Sequence, residues 1–375
     1  MTRAIRFAVI GCGRVARMHL DAIRGAGRAH LIGVCDLDEG RARRYGEEYG
    51  VPWFCNYHEM LSSQAVDAVA VITPSGMHVP HAVDVVERYG VHVVIEKPFV
   101  LTLGDVDVLQ DAASRAGCRI FPVFQNRYNK AVRRVREQVL AGALGRLALG
   151  TLRLRWCRPH RYYQQSPWRG TWAMDGGCLT NQGIHYLDLL LQLLGDVDQI
   201  LAFTNTAFAG VEVEDTATAA VRFASGALGQ IEVTTAARPD DFEAELSVLG
   251  EQGTAVIGGL SANRLSVWTP EPSDTGRYSE DVPTPYGFGH APFYRDVVAD
   301  ILDGIPHPIA VPDAARAIRL LHGVYCSAET GSVTRLSDGP TSALLGRPDR
   351  FLTAMYTTPP PRTVRDEAPQ IADPS

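Results

Sequence analysis

Short apolar runs alternate with amphipathic segments over the first third of the chain. This alternation of strand-like and helix-like patterns predicts repeated β-α-β units and a parallel sheet with helices on both sides. The apolar runs are Ile5–Ile10, His30–Cys35, Ala68–Ile72, Val91–Ile95 and Arg119–Phe124, and the helix-like segments are Val15–Gly25, Arg41–Gly50, Val79–Tyr89 and Leu103–Ala116. We therefore predict an α/β domain with a doubly wound sheet over residues 1–124.

After Gln125 the apolar residues recur with a period of two, which predicts strands with one covered face. Helices are expected at Ala131–Ala141, Ile184–Leu194, Phe293–Asp303 and Asp313–Glu329; strands are expected at Leu147–Cys157, Gln199–Thr206, Thr216–Phe223, Leu228–Ala236, Ala244–Leu249 and Thr254–Ile257. We predict an α+β domain over residues 125–345 with a large, open, mostly antiparallel sheet. Residues 346–375, rich in Pro, Thr and Asp towards their end, are predicted to be an extended or disordered tail.

Composition narrows the class of protein. The chain has 375 residues, 46% of them hydrophobic and 21% charged, and a net charge of −6, which argues against nucleic acid as a partner. Its seven cysteines are scattered without a CxxC pair, a pattern typical of reduced thiols in the cytoplasm. No signal peptide or membrane-spanning stretch is expected. A homodimer or homotetramer is expected because open sheet faces tend to be covered.

A dinucleotide-binding fingerprint follows the first strand. Gly11 permits the tight turn, Gly13 lets the backbone approach a pyrophosphate, and Ala16 stands where helix meets strand, with Arg14 and Val15 between them. The helix N-terminus then presents free N–H groups to the phosphates. This context predicts a Rossmann domain for residues 1–124.

Asp36 follows the second strand and bears on the choice of cofactor. A carboxylate at this position accepts hydrogen bonds from the adenosine ribose and repels a 2′-phosphate. NAD is therefore favoured over NADP.

Glu96-Lys97-Pro98 ends the apolar run Val91–Ile95, so Lys97 should emerge at the carboxyl edge of the sheet, where α/β sheets bind ligands. Together with Gly11–Ala16 and Thr73–His78, this motif makes the chain resemble the glucose–fructose oxidoreductase / inositol dehydrogenase (Gfo/Idh/MocA) family. Trp168–Thr171, Asp175–Gly177 and Asn181–His185 support the resemblance. It covers Ile5 to about Arg335 and implies a nicotinamide-dependent dehydrogenase or reductase of a sugar, polyol or sugar nucleotide.

A narrower resemblance is to the dehydrogenases that oxidise C3 of UDP-N-acetylglucosaminuronic acid. It rests on Gln125–Asn129, Arg155–Arg158 and Tyr162-Tyr163 together with the two segments around Trp168 and Asn181. Beside the fingerprint and Asp36, the resemblance implies cofactor contacts from Thr73, Pro74, Ser75, His78, Glu96, Lys97, Asn126, Trp168 and Arg169. It implies substrate contacts from Lys97, Arg127, Arg155, Tyr163, Asn181 and His185, and a cis bond at Pro98. No metal site is expected, because His78 and His81, three residues apart, have no carboxylate or third histidine nearby in the sequence pattern.

Lys97 and His185 are the predicted catalytic residues. Oxidation of an alcohol needs a proton acceptor and stabilisation of the developing alkoxide. We first assign Lys97 to the reactive hydroxyl and His185 to proton transfer; the reverse stays open, since burial could depress the pKa of the lysine. Many family members have an aspartate where this chain has Asn181, so an Asp–His dyad is in doubt. Asp188, one helical turn beyond His185, could orient the imidazole.

Arginines and aromatic residues alternate over Arg153–Trp172. Guanidinium forks suit phosphates and carboxylates, and aromatic faces suit sugar or uracil rings. Single-stranded nucleic acid or a subunit interface would explain the same composition. The leading hypothesis is an NAD-dependent dehydrogenase acting on a ring hydroxyl of a sugar or sugar nucleotide. The alternatives are a ketoreductase of a deoxysugar or cyclitol pathway and a catalytically silent NAD-binding regulatory protein.

Overall fold

The computed structural model describes residues 3–359, which form two sheets. The first sheet has six parallel strands in the order β3-β2-β1-β4-β5-β6. Its strands are β1 Ile5–Ile10, β2 Ala29–Cys35, β3 Trp53–Phe54, β4 Ala68–Val71, β5 His92–Ile95 and β6 Ile120–Pro122. This strand order is that of dinucleotide-binding domains, and the predicted parallel sheet is confirmed.

Five helices flank this sheet: α1 Ala16–Gly25, α2 Glu39–Tyr49, α3 Tyr57–Ser63, α4 His78–Tyr89 and α5 Gly104–Ala116. Local signals fix their ends. The Asp38 side chain caps α2, which ends at Gly50 with φ 65°, and the Asn56 side chain caps α3. Neither β3 nor α3 was predicted, because a strand of two residues and a helix of seven are too short to show a period.

The second sheet has eight strands in the order β13-β12-β11-β7-β10-β9-β8-β14. These are β7 Leu147–Arg155, β8 Val197–Asn205, β9 Thr216–Phe223, β10 Leu228–Thr234, β11 Glu243–Gly250, β12 Gly253–Gly258, β13 Arg264–Trp268 and β14 Thr334–Arg335. Neighbours are antiparallel except β7 and β10, which confirms the mostly antiparallel prediction. Strands β13 and β14 were not predicted.

Helices cover one face of the second sheet. The helices after residue 124 are α6 Lys130–Leu140, α7 His160–Tyr163, α8 Ile184–Leu194, α9 Asp274–Arg277, α10 His290–Asp303, α11 Val311–Thr330 and α12 Arg350–Tyr356. Helix α8 packs on β7, and helix α11 packs on β8. The opposite face of the sheet is open, so exposed side chains alternate with buried ones along β9. The first sheet ends at Pro122 and the second begins at Leu147, so we keep the proposed division after residue 124.

Helix α10 returns to the first domain. Its Tyr294 packs edge-on against Phe7 with ring centroids 5.5 Å apart, and its phenol lies 2.8 Å from Nδ1 of His19 in α1. The chain between β13 and β14 therefore packs against the dinucleotide-binding domain.

The predicted tail, residues 346–375, is not extended where it begins. Residues 350–356 form α12, whose Leu352 is buried against Met77 and Met174. Helix α12 was not predicted because its local signals, a capping residue at Asp349 and one buried apolar residue, are weak beside the proline-rich sequence that follows. Residues 360–375 lie outside the described part. Within residues 3–359, no helix has both the length and the apolar character needed to cross a bilayer.

Candidate active site

A cleft of about 850 Å³ lies at the carboxyl edge of the first sheet, between the two domains. The first domain lines it with residues that follow β1, β2, β4 and β5, and the second domain with an irregular segment and the start of α8. The predicted site residues found in its lining are Gly11, Gly13, Arg14, Val15, Asp36, Thr73, Pro74, Ser75, His78, Glu96, Lys97, Trp168, Arg169, Asn181 and His185.

The fingerprint turn fits a dinucleotide. Gly11 has φ +104°, and a Cβ atom there would lie 2.6 Å from the Ile72 carbonyl oxygen, so only glycine fits. A Cβ atom on Gly13 would meet no protein atom within 4 Å, which leaves the backbone open to a pyrophosphate. Ala16 is fully buried at the start of α1, as its role in helix–sheet packing requires.

Asp36 is held at the end of β2 with its carboxylate on the cleft. The N–H groups of Cys12 and Asp38 donate to its two oxygens at 2.7 and 2.8 Å, and Arg41 contacts it at 3.1 Å. A fixed acceptor at this place suits the adenosine ribose hydroxyls of NAD. The glycines and Asp36 together would hold the adenosine and pyrophosphate half of the cofactor.

Lys97 follows β5 and connects the two domains. Its Nζ donates to the backbone carbonyl of Asn181 at 2.8 Å, and its peptide bond to Pro98 is cis, as the resemblance implied. Burial lowers the pKa of Lys97; the charges of Glu96 and Asp175 oppose this, while Arg169 and Arg158 add to it. A lysine with a lowered pKa can exchange a proton closer to neutral pH than an exposed one.

The Glu96 carboxylate binds the backbone of Lys97 and two buried imidazoles. One carboxylate oxygen accepts the Lys97 N–H at 2.8 Å, and the other lies 3.2 Å from Nε2 of His19 and 3.9 Å from Nε2 of His290. Burial opposes ionisation of Glu96, but the imidazoles outweigh it, so the pKa lies well below its ordinary value. Potential ligand atoms of these three residues lie within 4.8 Å of one another, yet His19 already uses both nitrogens, on Glu96 and Tyr294. We interpret the cluster as a hydrogen-bonded support.

The second wall of the cleft contains a π-helical turn, Leu179–Gly183, that leads into α8. Wider turns of this kind are common at functional sites. Here the turn offers the Asn181 carbonyl to Lys97, while the Asn181 amide donates to one oxygen of Asp175. The other oxygen of Asp175 accepts the Gly170 N–H at 2.8 Å, and burial raises the pKa of this carboxyl to about 6. Asp175 thus holds both the Asn181 side chain and the Gly170 backbone in place.

His185 stands in the first turn of α8. Its Nε2 lies 3.5 Å from Nε2 of Gln125, and the Phe124 ring packs edge-on at 6.1 Å. Burial and the charge of Lys97 lower its pKa to about 3, so the imidazole is neutral at ordinary pH. Asp188 does not orient this ring, because its carboxylate binds Arg127 at 2.7 Å.

Five predicted contact residues are placed elsewhere or engaged otherwise. Arg127 is buried between Asp188 and Asp313, Arg155 binds Glu232 on the open face of the second sheet, and the Tyr163 hydroxyl bonds Thr235 at 3.1 Å. Asn126 is buried outside the lining. His78 reaches the cleft, but its ring nitrogens face the Thr73 and Pro98 carbonyls, each at 2.8 Å.

The structure brings neighbouring residues to the cleft instead. Arg158 and Tyr162 line it where Arg155 and Tyr163 were expected, and Tyr286 enters from the loop before α10. Arg158 and Tyr162 lie within the arginine-rich and aromatic stretch Arg153–Trp172. The sequence therefore indicated the region, but the contacts were assigned to Arg155 and Tyr163. Nothing in the local sequence of Tyr286 marks it.

A dinucleotide cleft with a lysine beside the fingerprint on one wall and a neutral histidine on the facing wall is the arrangement expected of a nicotinamide-dependent dehydrogenase. Residues 5–124 match the model of an oxidoreductase family with an NAD-binding Rossmann fold, and residues 132–256 match the C-terminal domain of the GFO/IDH/MocA family. The chain belongs to this family and is an NAD-dependent oxidoreductase. The predictions of family, enzyme class and cofactor are confirmed.

Known proteins resemble the chain along most of its length. The structure of the WlbA dehydrogenase from Bordetella pertussis, in complex with NADH and UDP-GlcNAcA, is 34% identical, with a TM-score of 0.84 over 89% of this chain and 98% of that one. The WlbA dehydrogenase from Chromobacterium violaceum, in the same kind of complex, is also 34% identical, with a TM-score of 0.82 over 89% and 97%. Myo-inositol 2-dehydrogenase from Thermotoga maritima is 25% identical over 89% of this chain and 99% of its own.

Proposed function

We propose that this enzyme oxidises the hydroxyl group on ring carbon C3 of a UDP-linked hexosaminuronic acid. The observation that carries the proposal is a group of three arginines around one aromatic ring of the cleft. The guanidinium carbons of Arg14, Arg158 and Arg169 lie 5.8, 5.6 and 4.4 Å from the centre of the Tyr162 ring. Similarity to two dehydrogenases crystallised with UDP-GlcNAcA supports the same substrate class.

The arginine group suits a substrate with several negative charges. Arg158 is paired with Asp241 at 2.9 Å, whereas Arg14 and Arg169 have no carboxylate partner within residues 3–359. Guanidinium groups bind carboxylates and phosphates through paired N–H donors. Trp156 and Tyr286, also on the cleft, offer flat faces to a sugar or uracil ring. An uncharged polyol such as inositol would offer no negative charge to Arg14 or Arg169.

The positions of Lys97 and His185 support a division of labour in the reaction. The fingerprint turn and Asp36 would hold NAD, whose nicotinamide would supply the hydride acceptor for oxidation of the carbinol carbon. Lys97, in its neutral form, is the proposed acceptor of the hydroxyl proton, because burial lowers its pKa and so favours that form. With a pKa of about 3, His185 is too weak a base for that task, so we assign it a hydrogen bond to the reacting oxygen. This reverses our first assignment.

The test is the rate of NAD reduction at 340 nm against UDP-GlcNAcA, UDP-GlcNAc, free aldoses and myo-inositol, with the reverse reaction followed on the 3-keto products. We expect kcat/KM for UDP-GlcNAcA to exceed that for UDP-GlcNAc by about 100-fold, since loss of a charge-assisted contact costs about 1.5–3 kcal/mol. Equal or better turnover of inositol or a free aldose would overturn the proposed substrate.

We further propose that the enzyme is a homo-oligomer assembled through the open face of the second sheet. That face carries exposed apolar side chains, among them Leu149, Leu201, Phe203 and Leu228. Exposed apolar patches on a sheet are typical of subunit interfaces. Light scattering on the purified protein would show a dimer or tetramer, and a monomer at micromolar concentration would contradict the proposal. The unpaired state of all seven cysteines supports the predicted cytoplasmic location.

A further inference from the structure

The segment after the second domain, residues 342–359, crosses back to the dinucleotide-binding domain. At its start the Gly346 N–H donates to the Trp172 carbonyl at 2.9 Å, next to the irregular wall of the cleft. At its end the Pro359 carbonyl accepts a hydrogen bond from the Asn56 side chain at 3.2 Å. Helix α12 lies between these two attachments, and the whole segment lies outside both family models, which end at residues 124 and 256.

Helix α12 docks through one specific side. Leu352 is 9% exposed and forms a small apolar cluster with Met77 and Met174, to which Trp168 and Tyr356 add their rings. Phe351, its neighbour, is 75% exposed and takes no part in this cluster. The Asp349 side chain caps the helix by accepting the N–H groups of Phe351 and Leu352. The orientation of α12 is therefore fixed by burial on one side and by its cap.

The route of this segment follows the edge of the sheet that binds dinucleotides. Met77 follows β4 and Asn56 follows β3, and the strands between them in the sheet are β1 and β2. The carboxyl ends of β1 and β2 carry the fingerprint turn and Asp36. Residues 352–359 therefore pass over the part of the cleft that these residues mark as the adenosine and pyrophosphate site.

Three side chains of the segment reach that part of the cleft. Met355, Tyr356 and Thr358 line the same cavity as Asp36 and Arg41. Thr358 is 7% exposed, so it is built into the wall and does not project into solvent. The Tyr356 ring packs beside Trp168 of the second wall and Tyr356 lines the cleft, where burial raises the pKa of its phenol while a hydrogen bond to the Trp168 backbone and the charges of Arg41 and Arg169 oppose the rise.

We infer that Met355, Tyr356 and Thr358 are cofactor-binding residues that cover the adenosine half of NAD. The fingerprint and Asp36 hold the dinucleotide from the sheet side, and the thioether and phenol ring provide the opposing apolar surface that a flat adenine needs. Bound cofactor is then enclosed from two sides, which slows its release. The inference depends on the NAD-binding fold and is independent of which sugar the enzyme oxidises.

The test uses the full chain and compares Tyr356→Ala and Leu352→Ala with Phe351→Ala, an exposed residue on the same helix. The Kd of NADH is measured by energy transfer from protein tryptophan, its dissociation rate by stopped flow, and the Kd values of AMP and nicotinamide mononucleotide by calorimetry. We expect Tyr356→Ala to raise the Kd values of NADH and AMP about tenfold, mostly through faster dissociation, as for loss of about 1.4 kcal/mol of contact. Leu352→Ala should act in the same direction, and Phe351→Ala should change neither value more than about twofold.

Binding of nicotinamide mononucleotide separates a local effect from general damage. It should be unchanged in all three variants, because the segment covers only the adenosine half. The inference is overturned if Tyr356→Ala, folded by its melting temperature, binds NADH and AMP as the unchanged chain does, or if it weakens nicotinamide mononucleotide equally. Each result can be read even if no sugar nucleotide is turned over, so failure of the proposed substrate would not affect it.

Discussion

The two walls of the cleft are built by different means. On the first wall each functional residue follows a strand by one or two residues: Gly11 after β1, Asp36 after β2, Thr73 after β4 and Lys97 after β5. The second wall, residues 156–185, contains one short helix and a π-helical turn. A parallel sheet sets the places of the first group by itself. The second group is placed by contacts between residues distant in sequence.

Buried carboxylates hold the second wall in shape. Glu214 accepts the Leu179 N–H at 3.0 Å and the Tyr325 hydroxyl at 2.9 Å, and burial raises its pKa to about 7. Gly177 packs so closely on this carboxylate that a Cβ atom there would lie 1.7 Å from a Glu214 oxygen. Asp175 acts similarly on Gly170 and Asn181. Buried polar contacts therefore position the residues of the second wall, as the strands of the parallel sheet position those of the first.

The largest expected effect tests the first wall. Lys97 and Lys130 are the two lysines of the sequence, and arginine supplies the other 34 cationic side chains. Lys97→Arg keeps the charge but cannot release a proton, so a base is lost while electrostatic stabilisation remains. We expect kcat for oxidation to fall by about 10³-fold in both Lys97→Arg and Lys97→Met. The matched control Lys130→Arg, on an exposed side chain, should retain full activity.

A different result would change the assignment. If Lys97→Arg kept more than about a tenth of the activity while Lys97→Met lost it, charge and not proton transfer would be the role of the lysine. His185→Gln, which keeps a hydrogen-bonding side chain, would then be the variant that distinguishes the proton acceptor. The Kd of NADH in each variant shows whether the cofactor site is intact.

The same contrast explains what the sequence could predict. The strands β1, β2, β4 and β5 and the motifs at their ends were visible because period and motif are local properties. The sequence pattern could not show which of Arg155 and Arg158 reaches the cleft. Arg155 is the last residue of β7, and the chain turns into the cleft only after it. Asp175 and the π-helical turn depend on tertiary contacts that no local pattern reports.

The second prediction compares these two arginines. Arg158→Gln should raise KM for an anionic sugar nucleotide about 30-fold, since one charge-assisted contact is worth about 2 kcal/mol, with NADH binding unchanged. Arg155→Gln should leave KM within about twofold, because its partner Glu232 lies on the open sheet face. Steady-state kinetics at varied ionic strength checks both. A larger effect from Arg155→Gln would mean that the open face contributes to the site.

The smallest effect concerns Asp175, whose charge acts on Lys97 across the junction of the two walls. An ionised Asp175 raises the pKa of Lys97, and its own pKa of about 6 leaves it charged at neutral pH. If Lys97 is the base, as proposed, oxidation needs its neutral form, so activity should fall as the pH drops below the lysine pKa. Asp175→Asn lowers that pKa, and the acid limb of the pH profile of kcat/KM should therefore move to lower pH. We expect a loss in kcat of about tenfold as well, because a weaker base transfers protons less effectively.

Asp274→Asn is the control for this prediction. Its buried carboxylate pairs with Arg134 outside the cleft, so its loss should lower the melting temperature without moving the acid limb of the pH profile. An acid limb that stays in place in Asp175→Asn would show that Asp175 only shapes the wall.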